Sequence, residues 1–109
     1  MMTIDEKRLA AESEKRLERH LTERVKAIGG ESIKLTAQYH RGLPDRLVLL
    51  PGGRAVFAEL KSTGCRPTRL QNVTHAAIRA LGFEVAVIDN SAALDAFINK
   101  AIQDKYANL

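Results

Sequence analysis

Residues 5–28 carry Leu9, Leu17, Leu21, Val25 and Ile28 at spacings of three, four or eight, with charges on the remaining positions. That pattern predicts a long amphipathic helix, and Gly29-Gly30 supplies the left-handed C-terminal cap that ends it. The next segment, 32–39, alternates Ile33, Leu35 and Ala37 with polar neighbours and predicts a strand. His40-Arg41-Gly42-Leu43-Pro44 reads as a loop, with Pro44 biasing Leu43 toward extended backbone. Two apolar runs follow, Arg46–Leu50 and Ala55–Lys61, joined by Pro51-Gly52-Gly53-Arg54, a strong β-hairpin signal. The second run has apolar residues on both faces and predicts a central strand covered on both sides.

Thr68 is positioned to cap a helix over 69–81 that stops at Gly82, with an apolar stripe of Leu70, Val73, Ala77 and Leu81. Beside it runs a polar stripe of Gln71, His75 and Arg79, each four residues apart. His75 is expected as a polar residue on a half-exposed face. A buried strand over 83–88 and a helix over 92–104 capped by Ser91 complete the order α-β-β-β-α-β-α. The expected architecture is a small α/β sandwich with a mixed sheet, one domain over residues 1–109.

Composition narrows the classes. With 45% hydrophobic and 28% charged residues the chain has the balance of a folded globular protein. No apolar run approaches the roughly 18 residues of a membrane span, and the charged N-terminus does not read as a secretory signal. A single cysteine, Cys65, excludes an internal disulfide framework, and three scattered histidines make a zinc site improbable. A reduced cytoplasmic setting fits these features.

The formal net charge of +4 is unevenly placed. Residues 29–79 hold eight Lys/Arg against three Asp/Glu, whereas 80–109 hold two against four. A basic excess in mid-chain is what a polyanion-binding surface requires.

The chemistry concentrates at Asp45 and at Glu59-Leu60-Lys61. Strand alternation puts Glu59 and Lys61 on one face of an otherwise apolar strand, where unpaired charges are costly. A two-residue turn at Gly52-Gly53 sets Asp45 opposite Leu60; one bulged residue moves it opposite Glu59 or Lys61. In each register two carboxylates and an ammonium converge. Asp45, Glu59 and the Leu60 backbone carbonyl form the oxygen-rich set that Mg²⁺ or Mn²⁺ prefers, suited to polarising a phosphodiester and activating water. Lys61 would orient that water or offset charge on phosphorus. The plainer alternative is a turn-capping Asp45 and a surface Glu59–Lys61 ion pair.

Asp45 with Glu59-Leu60-Lys61 also matches the bipartite PD-(D/E)xK nuclease signature. Gly42-Leu43-Pro44-Asp45-Arg46, Pro51-Gly52-Gly53-Arg54, Phe57-Ala58-Glu59-Leu60-Lys61, Arg66-Pro67 and Gln71, in that order, resemble the VRR-NUC family, above all its stand-alone phage and bacterial members. The resemblance spans residues 14–100 and implies a restriction-endonuclease-like α/β fold. It also implies a metal-dependent DNA endonuclease with Asp45 and Glu59 as metal ligands and Lys61 as the catalytic lysine. Gln71 would contact the metal site or its water. Related nucleases complete the site with a glutamate of the first helix, for which Glu18 is preferred and Glu14 is the alternative.

Branched DNA, a Holliday junction or flap, is the implied substrate. Lys34, Arg41, Arg46, Arg66 and Arg69 are the candidate phosphate contacts. Two Tyr, three Phe and no Trp argue against base stacking, and nothing resembles a base-reading helix. Cutting both strands of a junction needs two sites, so a homodimer is expected, with the long first helix as a dimer element. The alternatives are a non-catalytic nucleic-acid-binding module or a regulatory partner in a phage replication or repair complex.

Overall fold

The computed structural model describes residues 3–36 and 40–107, with the side chains of 7–13 and 106–107 outside that description. The order is α1 (Ile4–Ala27), β1 (Glu31–Lys34), β2 (Arg46–Leu50), β3 (Arg54–Leu60), α2 (Arg69–Ala80), β4 (Glu84–Ile88) and α3 (Ser91–Ala107). The sheet runs β1-β2-β3-β4, antiparallel until the parallel β3–β4 pair. The predicted α/β class, element order and mixed sheet all hold.

α1 begins on a capping box in which the Thr3 hydroxyl accepts the Glu6 amide and Glu6 accepts the Thr3 amide. It ends where the Gly29 and Gly30 amides donate to the carbonyls of Lys26 and Val25. Leu17, Leu21 and Val25 are buried along one face as the periodicity predicts; the Leu9 side chain lies outside the described residues. Together with Leu94, Ile98 and Ala101 of α3 they cover Val48, Leu50, Ala58, Leu60 and Ile88. An Arg24–Asp95 ion pair ties the two helices together at the rim.

The hairpin register resolves the alternatives left by the sequence. Leu50 pairs with Arg54 around Pro51-Gly52-Gly53, both glycines lying at positive φ. Arg46 therefore pairs with Ala58, and continuing one residue sets Asp45 across from Glu59. β1 is shorter than the expected 32–39. Its partner strand starts only at Arg46, so the ladder ends at Lys34↔Arg46, with the Leu35 amide donating to the Asp45 carbonyl at 2.8 Å. Residues 37–39 lie outside the described set.

Two further expectations are corrected. The cap of α3 is Asn90, whose side-chain oxygen accepts the Ala93 amide at 2.8 Å, and Ser91 is the first helical residue. The longer asparagine side chain reaches the third amide on, so the helix starts one residue early. The larger correction concerns α2, whose His75 the sequence places on a half-exposed face. Its apolar stripe faces solvent, with Leu70, Val73 and Leu81 at 47%, 60% and 77% exposure, while Thr74 and His75 are buried. The face toward the sheet is the polar one, because the sheet presents a carboxylate there.

Leu21→Ala should cost about 2–5 kcal/mol in urea unfolding, a cavity in the main core. Val73→Lys should change stability by less than about 0.5 kcal/mol, since it adds charge to an exposed helix face.

Candidate active site

The site forms where β2 and β3 run out. Pro44 is buried and has no amide to donate, so the ladder cannot extend through it. Asp45 turns its side chain across instead, and its Oδ2 accepts the Leu60 amide at 2.8 Å. On the other edge of β3 the Lys61 amide donates to the Ile88 carbonyl at 2.9 Å, so β4 holds the second half of the motif.

Glu59 is fully buried at the end of the central strand, which rules out the surface ion pair. Lys61 Nζ lies 3.5 Å from Glu59 Oε2, and Gln71 Nε2 donates to the same oxygen at 3.3 Å. Gln71 also closes the capping box of α2: its Oε1 accepts the Thr68 amide at 2.8 Å while the Thr68 hydroxyl accepts the Gln71 amide. One side chain thus fixes both the helix start and the carboxylate. His75, one turn further, is buried beneath Glu59 with Nε2 3.4 Å from Oε1. This corrects the half-exposed placement read from the sequence. Arg79, the last of that stripe, donates to the Val85 carbonyl at 2.7 Å.

A loop locks onto the same helix. The Thr74 hydroxyl donates to the Arg41 carbonyl at 3.1 Å. Gly42 sits at φ +81°, where a Cβ would come within 2.5 Å of the Thr74 hydroxyl. Only glycine allows this approach of the Asp45 loop to α2.

Burial pushes the Glu59 carboxyl up to about 8, with a hydrogen bond and the charge of Asp45 raising it further and Lys61 opposing. Two carboxyl groups in hydrogen-bond contact cannot both be charged cheaply. Burial and the cations Arg79 and Lys61 hold His75 below the usual imidazole range.

The two helix glutamates have separate surroundings. Glu18 pairs with Arg46. Arg46 is only 13% exposed in its side chain. Glu14 is raised by burial first, and it feels the charges of Asp45 and Lys61. Lys34, Arg41, Arg66 and Arg69 are exposed, on the β1 end, the Asp45 loop, the loop after Lys61 and the first residue of α2.

The donor set fits a divalent cation of the Mg²⁺ type. Asp45 is near enough to help raise the Glu59 carboxyl, and Glu59 Oε1 is buried without a hydrogen-bond partner. Among the described residues no three His, Cys, Asp or Glu side chains gather as a complete metal cage. Mg²⁺ keeps water and takes phosphate oxygens beside one or two carboxylates, so it needs no all-protein cage.

The fold, a four-stranded mixed sheet flanked by helices, is a PD-(D/E)xK-like α/β fold. No protein-family model matches the chain. It is 45% identical over 74 residues to "Putative nuclease p44" of Acyrthosiphon pisum secondary endosymbiont phage 1, covering 68% of this chain and 80% of that protein. A solved structure described as a VRR_NUC domain superposes with a TM-score of 0.75 at 33% identity, covering 80% of this chain and 95% of the other. The chain belongs to the VRR-NUC nuclease family.

Because the folded Glu59 carboxyl holds its proton far above its ordinary 4.5, its share of stability is fully present below that value. That share is lost as pH rises toward about 8. The metal-free protein should melt at a lower temperature at pH 8.5 than at pH 5.5, and Glu59→Gln should flatten this slope in a calorimetric pH series.

Proposed function

We propose that this protein is a divalent-metal-dependent DNA endonuclease acting on branched DNA. The observation that carries the reading is the buried Glu59 carboxyl pressed against Asp45, with Lys61 and Gln71 on one of its oxygens. Asp45, Glu59 and the Leu60 carbonyl would hold Mg²⁺ or Mn²⁺. When bound, such an ion supplies Lewis acidity toward a phosphodiester and lowers the pKa of water. A glutamate of α1 would complete the site, either Glu18, which pairs with Arg46, or Glu14, whose carboxyl is raised by burial and feels Asp45 and Lys61.

Lys61 keeps part of its side chain exposed while resting against Glu59, so its ammonium would donate to the attacking water or to a phosphate oxygen. Gln71 holds Glu59 in place and screens it from rotating. The exposed cations Lys34, Arg41, Arg66 and Arg69 would bind the sugar–phosphate backbone without reading bases, in keeping with selection of DNA shape. Resolving a junction needs two cuts, which supports a homodimer. The long first helix, α1, is the element proposed for that dimer. No helix among the described residues is long and apolar enough to cross a membrane.

Cleavage of a labelled four-way junction, a flap and a plain duplex in Mg²⁺, Mn²⁺ and EDTA tests the reading. The expected result is metal-dependent cutting of a branched substrate, lost in Asp45→Asn while DNA binding persists. Lys61→Ala should lower kcat about 100- to 1000-fold. Equal cutting of duplex would remove the branched specificity; binding without cutting in any lane would favour the non-catalytic module.

In the same binding assay, Arg69→Ala should weaken all DNA alike and reduce the salt slope by about one. Arg46→Ala should act through loss of the Glu18 pair and leave that slope nearly unchanged.

A further inference from the structure

His75 is the one buried titratable side chain of α2, and the mechanism above gives it no task. Its side chain is 1% exposed, and neither Nδ1 nor Nε2 has a hydrogen-bond partner. The Glu59 Oε1 that it faces at 3.4 Å is equally buried and equally without a partner. The other oxygen, Oε2, is gripped by Gln71 at 3.3 Å and approached by Lys61 at 3.5 Å. A leucine or methionine would fill this space without adding two buried nitrogens that lack partners, so packing alone does not explain an imidazole here.

We propose that His75 is a positioning residue for Glu59, its Nε2–H directed at Oε1 so that Oε2 is the oxygen presented beside Lys61. The inference rests on the metal-dependent reading and adds to it a part for α2. Gln71 and His75 stand four residues apart on one helix face, so a single rigid element holds both carboxylate oxygens. The rotation of the carboxylate about its Cγ–Cδ bond is then set before any cation arrives. Such outer partners of a metal-binding carboxylate commonly matter 10- to 100-fold in metal affinity. The 3.4 Å separation leaves room for the contact to tighten.

The test compares His75→Gln, which keeps a donor of similar reach, with His75→Met, which matches it in length and has none. His75→Leu is a second apolar variant in case one does not fold. Each protein is melted to establish folding. Each is then titrated with Mn²⁺ while the free ion is followed by electron paramagnetic resonance, a readout independent of cleavage.

The expected result is that the apolar variants melt within a few degrees of wild type and bind Mn²⁺ about 10- to 100-fold more weakly. Their kcat should fall at unchanged KM for DNA, and His75→Gln should recover most of both losses. Apolar variants that bind Mn²⁺ as tightly as wild type would overturn the proposal and reduce His75 to packing. Gln and Met variants equally weakened would overturn it too, since the donor would then be irrelevant. Wild-type protein that binds no Mn²⁺ would overturn the metal-dependent reading itself, and this inference with it.

Discussion

A carboxyl group sealed inside the protein at the end of its central strand is the constraint on which the site depends. Glu59 is fully buried, and an isolated charge there would be prohibitively expensive. The surroundings meet that demand in three ways. Burial and Asp45 favour the protonated carboxyl, Lys61 supports the ionised one, and Gln71 donates to it in either state. The pair is held between two charge states, the condition in which a divalent cation would have most to gain by displacing the proton.

The same constraint explains the orientation of α2. A helix laid over apolar sheet would turn Leu70, Val73 and Leu81 inward, yet they face solvent. Inward go Gln71, Thr74 and His75, which meet Glu59 and the carbonyl of Arg41. The stability of the molecule is built on the opposite face of the sheet, where α1 and α3 pack on Val48, Leu50, Ala58, Leu60 and Ile88. With the apolar core on one side, the other can hold a costly polar cluster without carrying the fold.

Most of the architecture was legible in the sequence because it follows from local rules. Periodicity gave α1, and the two glycines between apolar runs gave the hairpin. Asp45, Glu59 and Lys61 stood out as charges where a central strand should have none. The misreadings were tertiary in origin. A stripe of leucine and valine reads as core unless the neighbouring surface demands donors, and no periodicity reports that demand. β1 is shorter than its alternating pattern because Pro44 ends its partner strand. Glu14 and Glu18 share a helix face, and only the position of Arg46 separates their surroundings. The chemical type of the site was thus visible in the chain, while its orientation depended on which side chains were already engaged.

Displacement of the proton that Glu59 holds beside Asp45, by a divalent cation, is the event on which the proposed function turns. It is tested most directly by calorimetric titration of the metal-free protein with Mn²⁺ at pH 7 in two buffers of different ionisation enthalpy. Binding should release about one proton per ion, falling toward zero in Glu59→Gln. Binding with no proton release, or release unchanged in Glu59→Gln, would contradict it.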